Sequence, residues 1–313
     1  MKIAFIIDPV SQLKAYKDSS VAMMREAAAR GHTLHVLRQE DMLLHDQQVL
    51  ALAKPLHLLH DAEHWYSLGT VEKIALHQFD AVIMRKDPPF DTEYLYSTHL
   101  LELATVQGAR VFNRPSALRD FNEKLAIARF PQFTAPTLVS CRAEVIKAFL
   151  HEHGDIILKP LDAMGGSEIF RVRSGEVNLN VIIETLTRLG RRTIMAQRYI
   201  PEISAGDKRI LLIDGVPVPY ALARIPAEGE TRGNLAAGGR GVAQPLSARD
   251  LEIATTIGAV LRELGLFLVG LDVIGDYLTE INVTSPTGFV EISLQTDCNV
   301  AALFIDALEQ RCR

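Results

Sequence analysis

The chain has 313 residues, of which 33 are basic, 38 acidic and 48% hydrophobic, for a formal net charge of −5. That balance argues against a general nucleic-acid binder while leaving room for a local basic pocket, and no stretch approaches the ~20 apolar residues of a membrane span. Three scattered cysteines, Cys141, Cys298 and Cys312, lack CxxC or Cys/His ligand spacing and fit a reducing cytoplasm, and the first apolar run is too short for a signal peptide.

The length predicts two or three subdomains. Residues 3–7 form a short apolar run ended by Asp8-Pro9, the pattern of a buried parallel strand. Asp18-Ser19-Ser20 leads into helix formers over 21–30, stopped by Gly31, and 34–37 is the next strand. This β-α-β opening predicts an α/β fold with a doubly wound parallel sheet. Residues 40–78 are poorly periodic and carry His45, His57, His60, His64 and His77, with His35 just upstream. Their spacing fits no ligand motif, so the segment reads as a solvated connection, with Trp65-Tyr66 as local packing. Residues 81–84 are another buried strand, and 85–91 leave its C-terminal end, where open α/β sheets bind ligands. A helix over 92–108 and a strand at 111–112 follow, and Asn113-Arg114-Pro115 marks a boundary.

From about residue 120 the texture changes. Residues 122–125 begin a helix that stops before Pro131. Residues 156–160 are a strand carrying Lys159, and 169–172 are a second one. Between them Asp162-Ala163-Met164-Gly165-Gly166-Ser167 forms a glycine loop of the kind whose backbone N–H groups wrap phosphates, although it is no Walker A loop. A lysine in such a β-rich pocket calls for an anion. Residues 181–189 are helical and 194–200 form a strand ending at Pro201. Asp214-Gly215 signals a hairpin between 210–213 and 218–224, flanked by Arg209 and Arg224. Residues 231–241 hold four glycines and two arginines with no acid, a composition that reads as a mobile cationic lid over an anionic substrate. Residues 249–264 are an amphipathic helix, and 300–311 a closing helix.

The stretch from 266 to 286 carries the sharpest chemical signal. It reads as two apolar strands joined at Gly275-Asp276, yet it contains Asp272, Glu280 and Asn282. Oxygen-bearing side chains in an apolar hairpin are costly to bury unpaired, and carboxylates with an amide oxygen are Mg²⁺-type ligands. Side chains alternate along a strand. A two-residue turn in a regular ladder would therefore pair Asp272 with Thr279 and put Glu280 on the other face. A three-residue loop would put Asp272 opposite Glu280, with Asn282 on the same face. The metal reading thus predicts an odd loop or a bulge. The competing reading is a half-exposed hairpin with its polar residues in solvent.

Taken together, 84–91, 122–125, 157–162, 206–209, 231–241 and 279–286 resemble the ATP-grasp ligases, and the whole chain is similar to bacterial glutathione synthetases. The resemblance implies an N-terminal doubly wound parallel-sheet domain (1–121) followed by a two-part α+β ATP-grasp domain. The latter divides into a central subdomain (122–200) and a C-terminal subdomain (201–313) with a lid at 225–241. It implies ATP-dependent ligation of γ-glutamylcysteine and glycine through an acyl phosphate, with ATP as co-substrate and Mg²⁺, or Mn²⁺, as the metal. By the same resemblance Lys124 and Lys159 contact the phosphates and Gly165 and Gly166 close over them. Gln197, Tyr199 and Ile200 line the adenine slot with Asp207 nearby. Asp272, Glu280 and Asn282 hold the metal, Asn282 also meeting the nucleotide. Arg209 and Arg224 serve the acyl phosphate and the oxyanion, with Arg232 of the lid. Arg85 and Ser285, with Arg209 and Arg224, meet the substrate. A cytoplasmic homotetramer is also implied.

Two positions depart from the family pattern: Ala163 stands where a glycine is frequent, and Val290 where an arginine is expected after the Thr-Ser-Pro turn. Two alternatives are another carboxylate–amine ligase of the superfamily and a nucleotide-binding relative without catalysis. Residues 85–91 and the lid sequence argue against the first, the full set of metal ligands and lid arginines against the second.

Overall fold

A computed structural model describes residues 1–59, 61, 64–227, 233 and 238–313. The first sheet comprises β1 (Lys2–Ile6), β2 (Thr33–Leu37), β3 (Met42–His45), β4 (Gln48–Leu58), β5 (Tyr66–Leu68), β6 (Glu72–Ala75), β7 (Ala81–Met84) and β8 (Val111–Phe112). Its order is β3-β4-β2-β1-β7-β8, with β5 and β6 also on β4. β1, β2, β7 and β8 are parallel, whereas β4 runs antiparallel to β2. The doubly wound parallel core is thus extended by an antiparallel edge. That edge replaces the solvated connection expected over 40–78. The misreading has a physical cause: β3, β5 and β6 are short and half-exposed, and Pro55 inside the longer β4 reads as a strand breaker.

Alternate residues of β1 feed two cores. Ile3 and Phe5 pack toward α1 (Ser19–Ala29) and α8 (Val300–Cys312), while Ala4 and Ile6 pack toward α2 (Thr92–Val106) and α3 (Pro115–Asp120). α1 starts at Ser19, two residues before the run of helix formers at 21–30, because the Asp18 side chain accepts from Val21 N–H and caps it. Among the described histidines of the expected connection, His45, His57, His64 and His77 are exposed; His60 lies outside the described residues. Trp65 is buried against Tyr66.

A second sheet, ordered β11-β10-β12-β9, is antiparallel throughout and joins β9 (Thr137–Ser140), β10 (Asp155–Pro160), β11 (Phe170–Arg173) and β12 (Ile194–Arg198). α4 (Ala143–His153) and α5 (Leu179–Thr187) cover it, and Ile146, Leu150, Ile156, Leu158, Ile183 and Leu186 form its own core. The helix expected from residue 122 is only a 3₁₀ turn over Leu125–Arg129.

The third sheet, β15-β14-β13-β16-β17, is also antiparallel, with β13 (Asp207–Ile213), β14 (Val216–Ile225), β15 (Arg240–Pro245), β16 (Leu268–Ile274) and β17 (Tyr277–Asn282). Ile210 and Leu212 face α6 (Ala248–Glu263), while Leu211 and Ile213 share the core of α7 (Phe289–Gln295) and α8. Buried Asn113 ties this sheet to the first: its Nδ2 donates to Leu268 O and Val283 O at 2.8 Å each, and its Oδ1 accepts from Leu268 N–H.

The hairpin at Gly275-Asp276 settles the parity question. Ile274 pairs with Tyr277, so the turn has two residues, and a bulge then shifts the register so that Asp272 lies opposite Glu280 and Gly270 opposite Asn282. The extra residue is Thr279, whose hydroxyl donates to Asp272 O at 3.1 Å. One inserted residue exchanges the faces of everything beyond it, and it brings the two carboxylates together.

Candidate active site

The third sheet aligns the charged groups by register. Arg209 on β13 pairs with Asp272 on β16, and Asp207 pairs with Arg224 on β14. Arg209 and Arg224 are buried, not surface charges. Arg209 holds Asp272 with Nε at 2.5 Å and a second nitrogen at 3.0 Å, while Arg224 reaches Asp272 at 2.9 Å and Asp207 at 2.5 Å. Burial alone would raise the Asp272 carboxyl, but the two guanidiniums override it and hold the group well below the usual carboxylate range. Asp207 goes the other way. Burial pushes its carboxyl up to about 6 against the pull of Arg224, helped by the negative charges of Asp272 and Glu280.

Across the cleft, Lys159 of β10 is buried, and burial lowers the pKa of its ammonium, with Glu280 opposing the shift. Its Nζ donates to Thr279 O at 3.4 Å and lies 4.0 Å from Glu280. Lys124 is buried too; its Nζ is 3.6 Å from Glu280 and donates to Ala163 O at 2.5 Å. The glycine loop is thereby tied to a lysine. Gly165 and Gly166 take φ of +65° and +82°, a left-handed backbone that glycine adopts without strain. Ala163 offers its carbonyl to Lys124 and does not take a left-handed backbone, so a glycine is not required there.

These groups line two adjoining clefts. The first, of roughly 850 Å³, brings together Lys124, Lys159, Gly165, Gly166, Gln197, Tyr199, Ile200, Asp207, Asp272 and Glu280. The second, of roughly 920 Å³, has Arg209, Arg224, Asn282 and Ser285 on its wall, with Asp87, Glu123 and Thr284. Lys124, Gly165, Asp272 and Glu280 border both, so the acidic pair sits where the clefts meet. Arg85 is set apart. It is buried, donates to Ser20 Oγ and Pro286 O at 3.0 Å each, and is on neither cleft wall. Val290 lies in the first turn of α7, also off both walls. Arg232 and the middle of the expected lid at 225–241 lie outside the described residues; Gly233 of that loop is packed against Arg224 O and borders the first cleft.

The donor set fits a hard cation that shares its coordination with phosphate. Asn282 Nδ2 donates to Gly270 O at 3.2 Å, which fixes the amide plane and reserves Oδ1 as an acceptor. Glu280 faces lysines, and Asp272 retains lone pairs beyond those its arginines occupy. Among the described residues no group of three His, Cys, Asp or Glu is arranged to hold a metal by itself. Sequence reasoning gave no role to Glu123 or to Thr279. Glu123 was visible inside the 122–125 motif; Thr279 shows only once the turn and the register are both known.

A family model described as the prokaryotic glutathione synthetase N-terminal domain matches residues 1–119, and one described as the ATP-grasp domain of the same enzymes matches 123–297. Glutathione synthetase of Nitrosomonas europaea is 64% identical over 99% of this chain and 98% of its own. That of Bordetella parapertussis is 61% identical over 99% of each, and that of Pseudomonas aeruginosa 55% identical over 98% of this chain and 97% of its own. Among solved structures, D-cycloserine synthetase DcsG superimposes with a TM-score of 0.71 at 18% identity, over all of both chains. The ATP-grasp ligase PsnB complexed with its minimal precursor gives 0.66 at 18% identity, over 100% of this chain and 99% of its own. At such identity these two speak for the fold alone. With two family models in register over nearly the whole length and relatives this close, the chain belongs to the prokaryotic glutathione synthetases, with an ATP-grasp fold.

Proposed function

We infer that this protein is an ATP-dependent carbon–nitrogen ligase that joins γ-glutamylcysteine to glycine. The relatives it matches carry the name glutathione synthetase. The observation that carries the site-level reading is the meeting of two clefts at Asp272, Glu280 and Lys124, with cations on both sides. We assign ATP to the first cleft, with Lys124, Lys159 and the N–H groups around Gly165 and Gly166 on its phosphates. Gln197, Tyr199 and Ile200 flank the adenine, with Asp207 at the ribose side. Glu280 and Asn282, joined by Asp272, would hold Mg²⁺ or Mn²⁺, which neutralises phosphate charge when bound.

The dipeptide occupies the second cleft, its cysteinyl carboxylate toward Arg209 and Arg224 and its chain along Ser285. The carboxylate oxygen attacks the γ-phosphorus, the bond to the β-phosphate oxygen breaks, and ADP leaves. Glycine's unprotonated amine then attacks the acyl carbon, and the proton it sheds leaves with the departing phosphate. The tetrahedral oxyanion rests against the guanidiniums, and its collapse expels phosphate and leaves the amide. No covalent enzyme intermediate is needed, and positioning with charge neutralisation supplies the rate. Arg232 and the 225–241 lid are proposed to exclude water from the acyl phosphate. Arg85 acts on the substrate through the backbone it holds at Pro286.

The parts 1–121, 122–200 and 201–313 are the working units of this scheme, and a cytoplasmic homo-oligomer, a tetramer, is the proposed assembly. No helix among the described residues is long and apolar enough to cross a membrane. Phosphate release from Mg-ATP with each substrate omitted in turn tests the reaction: release is expected only with both present. Release that ignores glycine or the dipeptide would overturn it. Sedimentation velocity tests the assembly.

A further inference from the structure

The 122–125 segment contains a carboxylate that the reaction does not use. Glu123 is half-buried on the wall of the second cleft, and it grips the end of β17 twice. Its main-chain carbonyl accepts from Ile281 N–H at 2.8 Å. A single side-chain oxygen, Oε1, accepts from Val283 N–H at 3.0 Å, Thr284 N–H at 3.2 Å and Thr284 Oγ1 at 2.8 Å. These donors bracket Asn282 on both sides and end at Thr284, next to Ser285. The next residue along the chain is Lys124, which is tied to the glycine loop through Ala163 O. One dipeptide of the linker therefore fixes the phosphate lysine on one hand and the amide ligand on the other.

We propose that Glu123 is a positioning residue that sets Asn282 and the 283–285 turn against the phosphates, so that metal and dipeptide sites form together. This rests on the ligase reading of the two clefts. A carboxylate suits the task because it is acceptor-only when ionised and can take several donors on one oxygen. Burial raises the pKa of this group, the Thr284 and Val283 bonds pull against the rise, and the charge of Glu280 adds to it.

The test compares Glu123→Ala, Glu123→Gln and Thr284→Val with the unaltered protein. Mn²⁺ binding in the presence of ADP is followed by electron paramagnetic resonance, which needs no turnover, and KM for γ-glutamylcysteine is measured apart from kcat. Loss of an outer-shell partner of this kind costs on the order of tenfold or more in metal affinity. Glu123→Ala is expected to weaken Mn²⁺ about tenfold and to raise the dipeptide KM in parallel. Glu123→Gln, which keeps an acceptor oxygen, is expected to recover most of both. Thr284→Val removes one donor of three and is expected to fall between; it also serves if Glu123→Ala does not fold.

A folded Glu123→Ala protein with Mn²⁺ affinity and dipeptide KM unchanged overturns the proposal. So does a Gln variant as defective as Ala, since charge and not acceptor geometry would then matter. Unchanged Mn²⁺ affinity in Thr284→Val also overturns it. Failure of the unaltered protein to make glutathione would instead sink the ligase reading, because the Mn²⁺ measurement is independent of it.

Discussion

A buried ammonium with no carboxylate closer than 4.0 Å among the described residues is an expensive group for a fold to keep, and Lys159 is one. In the proposed reaction a bound phosphate would offset that cost. Lys159→Met is expected to lose about 10- to 100-fold in ATP affinity, the size of one charge-assisted hydrogen bond of about 1.5–3 kcal/mol, with no loss of thermal stability. Calorimetric titration and a melting curve check both. Because burial lowers its pKa and the protonated form binds phosphate, ATP affinity is expected to fall as pH rises through that lowered value, earlier than an exposed lysine would allow. Lys159→Arg should move this alkaline limb upward, since a guanidinium stays charged. Asp272→Asn has the opposite balance. It leaves Arg209 and Arg224 short of a counter-charge in the core and is expected to cost about 3–5 kcal/mol of stability, measured by denaturant unfolding. Residues of this kind were legible because a polar group in an apolar run has to be explained. Asp272, Glu280, Asn282 and Lys159 stood out for that reason. Arg209 and Arg224 did not, since arginines beside a hairpin look like surface charge until cross-strand pairing is known. Glu123 was legible as part of a motif and not as a clamp, because its partners lie 160 and 161 positions away.

At the scale of elements, strands with strong apolar runs and clear stops were readable: β1, β2, β7, β8, β10, β12 to β14 and the β16–β17 hairpin. The Asp214-Gly215 turn and the caps of α1 follow local chemistry and came out as expected. The edge built from β3 to β6 did not, because each strand there has one face in solvent and a break nearby. β9, α4 and α7 also went unread. The β16–β17 hairpin was legible as an alternative between two parities, and the answer is a two-residue turn plus the Thr279 bulge. Deleting Thr279 is expected to give a regular ladder in which Asp272 still lies opposite Glu280, so Mn²⁺ binding should survive the loss of the bulge. Thr279→Val keeps the residue count and is expected to retain Mn²⁺ binding within a few-fold. Electron paramagnetic resonance on the two variants separates the loss of the bulge from the loss of its hydroxyl; abolished Mn²⁺ binding in the deletion would show that the bulge does more than set the pairing.

At the scale of the whole molecule, the three sheets do not have three independent cores. The second sheet does own one, but the first and third share theirs through α8, whose Phe304 lies against Phe267 and Phe289 at centroid distances of 5.4 and 6.1 Å. Phe304→Ala is expected to cost about 3–5 kcal/mol and to lower amide protection in β1 and β16 together, which hydrogen exchange would report, while β10 and β12 are spared. The chain's order makes the arrangement consequential. α1 and β1 are made early, yet their apolar face is covered by Val300, Phe304, Ile305 and Leu308, beyond the spans matched by either family model. During synthesis Ile3 and Phe5 therefore lack their cover until α8 is made, and a chain cut before Val300 is expected to expose that apolar face, which binding of a hydrophobic dye would report.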